Sequence, residues 1–111
     1  MKKILVTGAN GQLGQCLQKI SSQFEEFEFI FTDSETLDIT NKEEVNDFFW
    51  QNAPDFCINA AAYTAVDLAE TDIEKAFLVN ADGTENLAEA CAENNAQFIH
   101  VSTDYVFDGE N

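Results

Sequence analysis

Short apolar runs alternate along the chain with stretches whose apolar positions recur at helical spacing. Ile4-Leu5-Val6 is continuous, so residues 3–7 read as a short strand buried on both faces, as in the centre of a parallel sheet. From Gly11 the pattern turns helical, with Leu13, Leu17 and Ile20 on one side and Ser21-Ser22 closing the helix. A second strand is expected from Phe27 to Thr32, where Phe27, Phe29 and Phe31 alternate with Glu28 and Ile30. Asp33 ends it, and Leu37-Asp38-Ile39 follows as a loop. Thr40-Asn41-Lys42-Glu43 has the form of a capping box and opens a helix with Val45, Phe48 and Phe49 on one face, ended by Pro54. Phe56-Cys57-Ile58 is a third strand, with the small residues Asn59-Ala60-Ala61-Ala62-Tyr63-Thr64 at its end. A second capping box, Thr71-Asp72-Ile73-Glu74, starts a long helix that keeps its period to about Glu93. Its apolar positions are Ile73, Phe77, Leu87 and Cys91, with Ala81, Thr84 and Ala88 between them. Phe98 to Val101 forms the fourth strand, which runs into Ser102-Thr103-Asp104-Tyr105.

Strand–helix alternation of this kind implies an α/β fold, a Rossmann-type doubly wound parallel sheet of about four strands. The 111 residues allow one domain, residues 1–111. Ligands in such sheets sit beyond the carboxyl ends of the strands. Gly8, Asp33, Asp38, Asn59 to Thr64, and Ser102 to Tyr105 all fall there.

The residues just after the first strand sharpen this picture. Thr7 to Gly14 carries glycines at positions 8, 11 and 14, the spacing Gly-x-x-Gly-x-x-Gly. That is one residue longer between the first two than the Gly-x-Gly-x-x-Gly fingerprint. Glycine permits a sharp turn and close approach to an anion, and the following helix offers free N–H groups and its positive end. Gly8, Gly11 and Gly14 are thus expected to cradle a diphosphate. Asp33 stands about 20 positions on, where a carboxylate accepts from the ribose hydroxyls of NAD and repels a 2′-phosphate. A plain turn-forming Asp is the alternative there. The residues favour NADH over NADPH. Ala60-Ala61-Ala62 leave room for a flat cofactor, and equally suit ordinary packing.

Charge and composition narrow the partners. With 21 acidic residues, five lysines and a formal charge of −16, the chain should repel nucleic acid and anionic membrane surfaces. No arginine is present, so a diphosphate must be held mainly by backbone amides. Cys16, Cys57 and Cys91 lack metal spacing and read as core thiols of a cytoplasmic protein. Ser102 and Thr103 could donate to a substrate carbonyl. His100, inside its strand, reads as a sheet residue rather than a base. Tyr63 and Tyr105 lack a lysine four residues on, Asp67 and Gly109 standing there, so neither has the cation that an acid with a free pKa of about 10 needs near neutrality.

Taken together, Thr7 to Gly14, Asn59 to Asp67 with Ala69-Glu70, Val79-Asn80-Ala81, and Ser102 to Phe107 with Gly109 resemble the dTDP-4-dehydrorhamnose reductase family. This is a branch of the extended short-chain dehydrogenase/reductases, and Ser-Thr-Asp-Tyr-Val-Phe is its most specific part. The resemblance implies NADH- or NADPH-dependent reduction of the 4-keto group of dTDP-4-dehydro-L-rhamnose, a step of surface polysaccharide biosynthesis. It implies cofactor contacts at Gly11, Gln12, Leu13, Asp33, Asp38, Ile39, Ala62, Tyr63 and Thr64. Thr103 would polarise the keto oxygen, and Asp104 would neighbour the dTDP-sugar substrate.

The family's proton donor is a Tyr-x-x-x-Lys pair roughly two dozen residues after that Thr, beyond Asn111. The 111 residues are therefore expected to be the N-terminal, cofactor-binding part of the reductase, with little turnover of their own. The open edge of the fourth strand is expected to favour homo-oligomers. Two other readings fit the same glycine turn: another extended short-chain dehydrogenase/reductase acting on nucleotide sugars, and a non-catalytic module or regulatory subunit on the same fold. The Ser102-Thr103 pair favours the reductase.

Overall fold

A computed structural model describes residues 1–60 and 79–100, the side chains of residues 79 and 80 excepted. Its strands are β1 (Lys2–Thr7), β2 (Phe27–Phe31), β3 (Phe56–Asn59) and β4 (Gln97–His100). The helices are α1 (Gln12–Ile20), α2 (Lys42–Asn52) and α3 (Thr84–Glu93). A 3₁₀ turn, Ser21–Gln23, follows α1, and a π turn, Val79–Gly83, precedes α3. The four strands form one sheet in the order β2-β1-β3-β4, every pair parallel. The chain first steps from β1 to β2, then crosses to the other side of β1 for β3 and β4. Right-handed crossovers in opposite directions put helices on opposite faces, and the core divides accordingly. On one face Leu5, Cys57 and the partly buried Ile30 and Phe98 meet Val45 and Phe49 of α2 and Leu87, Ala90 and Cys91 of α3. On the other, Ile4, Val6, Phe29 and Ile58 meet Leu13 and Leu17 of α1. The α/β doubly wound class is therefore as the alternation implied.

Side-chain alternation explains β2. Phe27, Phe29 and Phe31 share the α1 face, where the Phe29 and Phe31 rings stack at 5.6 Å and Phe27 meets Phe29 and Phe56 edge-on. Ile30 points to the opposite face and joins the α2–α3 core.

Several local expectations are corrected. The N-cap of α2 is Asn41 rather than Thr40: Asn41 Oδ1 accepts from the Glu44 N–H at 3.1 Å. Thr40 instead donates to Asp38 Oδ1 at 2.6 Å, and Glu44 accepts from the Asp38 N–H at 3.0 Å, so the loop and the helix start brace each other. The helix ends at Asn52, and its C-cap, Ala53, sits in the left-handed region (φ 47°) just before Pro54, its N–H donating to Phe49 O. The start of the long third helix lies outside the described residues. The 3.6-residue period does not run unbroken, because the π turn shifts the phase ahead of α3. Leu87, Ala90 and Cys91 are the buried positions of α3, while Ala81 is exposed. Gly83 sits against Ile39, whose side chain a Cβ would strike. Ile20, the last residue of α1 before the 3₁₀ turn, is 41% exposed. Among the described residues no helix is long and apolar enough to cross a membrane.

Candidate functional site

The topological switch point lies between β1 and β3, the neighbours on either side of which the chain runs in opposite directions. The loop from β1 into α1 lies at the carboxyl end of this crevice. Gly8 takes the left-handed conformation (φ 66°), and the Gly11 N–H closes a turn onto Gly8 O at 3.1 Å. Gly14, in the first turn of α1, packs directly on that loop. A Cβ there would stand 2.6 Å from the carbonyl carbon and oxygen of Ala9, inside any real contact. Glycine at position 14 is what lets α1 start beside the strand end.

Carbonyl groups in this loop are turned away and tied down. Gln18 Nε2 donates to Ala9 O at 3.0 Å, and Gln15 Nε2 donates to Asn10 O at 2.8 Å. The Ala9 N–H is used on Thr32 O at 2.8 Å, which anchors the loop to the end of β2. The N–H groups of the first turn of α1 have no intrahelical acceptors, and among the described residues no side chain caps the helix at Gly11. Such an end can receive an anion. Gln12 is exposed at this end, whereas the Leu13 side chain packs into the α1-face core.

Asp33 follows β2 and faces the loop. Its Oδ1 accepts from the Glu35 N–H (2.9 Å), the Thr36 N–H (3.0 Å) and the Thr36 hydroxyl (3.2 Å). Its Oδ2 accepts from Asn10 Nδ2 at 3.0 Å. The Thr36 N–H above all, joined by the other three donors and opposed by some desolvation, holds the carboxyl below its usual value. Asp33 is thus ionised and oriented, and at the same time it forms a local turn. The turn-forming reading of this residue holds. Asp38 is exposed, with Oδ1 taken by Thr40. Ile39 is a core residue, and its carbonyl accepts from Asn86 Nδ2 at 2.9 Å.

A second polar group lies under the carboxyl ends of β1, β3 and β4, where register aligns Thr7 with Asn59 and Asn59 with His100. The Thr7 hydroxyl donates to Asn59 Oδ1 at 2.8 Å. The Asn59 amide lies 3.2 Å from Thr84 Oγ1 and 3.2 Å from His100 Nδ1. With Oδ1 accepting from Thr7, the amide nitrogen is the donor to both, so His100 Nδ1 is an acceptor and the ring is neutral. Partial desolvation holds the His100 pKa below its usual value, in the same sense. His100 is indeed a sheet residue, one that helps hold Asn59. Thr7 and Asn59, each 1% exposed, are the polar residues that join the strand ends.

The structure brings together Gly8, Gly11, Gly14 and Asp33, and adds Asn10, Gln15, Gln18 and Thr36, which periodicity could not single out. Ala62, Tyr63, Thr64, Thr103 and Asp104 lie outside the described residues. Of the thiols, Cys57 and Cys91 are buried and Cys16 is exposed on α1, which corrects its expected core position. A hydrogen bond to Cys91, reinforced by burial, pushes the Cys57 thiol well above its ordinary pKa, so it stays protonated.

The family described as the RmlD substrate binding domain matches residues 1–111. A dTDP-4-dehydrorhamnose reductase of Aggregatibacter actinomycetemcomitans is 47% identical over 109 residues, which cover 98% of this chain and 37% of the relative. A crystal structure of a dTDP-4-dehydrorhamnose reductase from Clostridium acetobutylicum superposes with a TM-score of 0.81 at 50% identity, over 98% of this chain and 39% of that one. A Bacillus anthracis dTDP-4-dehydrorhamnose reductase crystallised in complex with NADP gives 0.83 at 40% identity, over 100% of this chain and 40% of that one. The chain thus spans well under half the length of these relatives.

Proposed function

The chain belongs to the RmlD substrate binding domain family, and on that premise we propose that it is the dinucleotide-binding part of a dTDP-4-dehydrorhamnose reductase. The reaction is reduction of the 4-keto group of dTDP-4-dehydro-L-rhamnose to dTDP-L-rhamnose in the cytoplasm, for nucleotide-sugar and polysaccharide biosynthesis. The observation that carries this reading is the 47% identity to a reductase across 98% of the chain.

The described residues fit a nicotinamide dinucleotide. At Gly11 the backbone (φ −77°, ψ 179°) is one that any residue adopts, so conformation does not require glycine there. Close approach of a diphosphate to the backbone there would account for the choice of glycine. Gly8, Gly11, Gln12, Leu13 and Gly14 would hold the diphosphate through the N-terminus of α1. Asp33 would accept from the adenosine ribose, with Asp38 and Ile39 beside the adenine and Ala62, Tyr63 and Thr64 along the nicotinamide half. The bound cofactor supplies a hydride. Thr103 would donate to the keto oxygen and Asp104 would contact the sugar, while Asn59 fixes the strand ends that carry the site. An ionised Asp33 with no cation bonded to it among the described residues favours NADH over NADPH. β4 pairs on one side alone among the described residues, and its outer edge would serve self-association.

The test is to titrate the whole protein with NADH and NADPH and follow cofactor oxidation on adding dTDP-4-dehydro-L-rhamnose. Oxidation that depends on the sugar is expected. Cofactor binding with no oxidation by this sugar would overturn the reductase assignment.

A further inference from the structure

The contact between Asn10 and Asp33 has a consequence for cofactor choice. An ionised carboxylate offers about four lone-pair sites. Among the described residues, Asp33 Oδ1 already takes two backbone N–H groups and shares the Thr36 hydroxyl, whereas Oδ2 takes the Asn10 amide alone. One acceptor site therefore remains, on Oδ2. A carboxylate free at both oxygens could read both ribose hydroxyls; this one can read a single hydroxyl, next to the Asn10 amide.

That amide is also a hydrogen-bond donor held 3.0 Å from the group that reads the ribose. The chain has no arginine, and among the described residues the ion pair formed is Lys42–Glu89, on the far helices. The Asn10 amide is thus a neutral donor, on the glycine loop, bonded to Asp33 and able to turn from the carboxylate towards a 2′-phosphate. Asn10 is exposed, and its backbone carbonyl is pinned by Gln15, so its side chain can swing without moving the loop.

We propose that Asn10 is a specificity-determining residue that weakens the preference for NADH set by Asp33, by occupying one of its acceptor sites and by offering a donor to a 2′-phosphate. The proposal rests on the dinucleotide-binding reading above. Removing the amide frees Oδ2 for a second ribose hydroxyl and deletes the donor, so both effects act in the same direction.

The experiment measures Kd for NADH and NADPH by calorimetry on the whole protein, its Asn10→Ala variant and its Asn10→Asp variant. The ratio of NADPH Kd to NADH Kd should rise about tenfold in Asn10→Ala, the worth of roughly one hydrogen bond, and further in Asn10→Asp, which sets a second carboxylate at the same point. A ratio that stays within about twofold of the parent, or that falls, overturns the proposal while leaving dinucleotide binding intact. Equal weakening of both cofactors makes Asn10 a loop-structure residue and overturns it as well. A parent protein that binds neither dinucleotide removes the reading beneath it.

Discussion

Two polar assemblies sit at the carboxyl end of one sheet and obey opposite physics. On the β1–β2 side, Asn10, Asp33 and Thr36 make solvent-accessible hydrogen bonds around an ionised carboxylate. On the β1–β3–β4 side, Thr7 and Asn59 make theirs in near-complete burial, with Thr84 and His100 at the margin. Groups of the first kind exchange protein partners for water or ligand at small cost, which suits binding and discrimination. Groups of the second kind have no such exchange available, and losing one partner strands the others. The first assembly is therefore suited to choosing a ligand, and the second to holding the strand ends in register.

The largest expected effect breaks the buried side of this comparison. Asn59→Ala should cost about 2–3 kcal/mol in urea unfolding, because the Thr7 hydroxyl is left buried without its acceptor and a cavity opens beside it. Asp33→Ala, on the exposed side, should shift the same unfolding midpoint far less while weakening NADH binding. If the two substitutions cost equal stability, the contrast fails.

Gly14→Ala tests whether the loop beneath the exposed assembly is rigid. Its Cβ meets backbone atoms of Ala9 rather than a side-chain end that could rotate, so α1 must move as a body. A loss of about 1–3 kcal/mol is expected, together with weaker dinucleotide binding. Unchanged affinity with full stability would show that α1 and the loop are not held as closely as their contact implies.

The smallest effects are in pH. His100 has a folded pKa below its usual 6.5, so the unfolded chain binds more protons just under that value. Stability is complete above pH 6.5 and declines as pH falls below it, as the Asn59 bond to a neutral ring requires. Asp33 has a folded pKa below its usual 3.8, so its contribution is present above that value and is lost as pH falls through the lowered pKa. Unfolding curves of His100→Gln and Asp33→Asn across pH should each lose one of these two slopes. A variant that keeps its slope removes that group from the account.

Much of the fold was legible because the signals were local. Ile4-Leu5-Val6, the three alternating phenylalanines of β2 and the Val45–Phe49 face report burial through spacings of two, three and four residues. Local reasoning failed where competing local bonds were nearly equivalent. Thr40 and Asn41 could both cap α2, and the Asp38 carboxylate drew the Thr40 hydroxyl away, leaving the cap to Asn41. It failed again at Cys16, which lies beside the Leu13–Leu17 stripe of α1 rather than on it, and at Ile20, the last residue of the helix.

By itself the sequence determined the alternation of strands and helices, the glycine turn after β1 and the acid at the end of β2, since each depends on residue type and spacing within one element. Only the tertiary structure decided what those residues do to one another. Asn10 meets Asp33 across 23 positions and Thr7 meets Asn59 across 52, and no periodicity spans such separations. The order β2-β1-β3-β4 brings these strand ends together, and pairing between donors and acceptors there selects the partners.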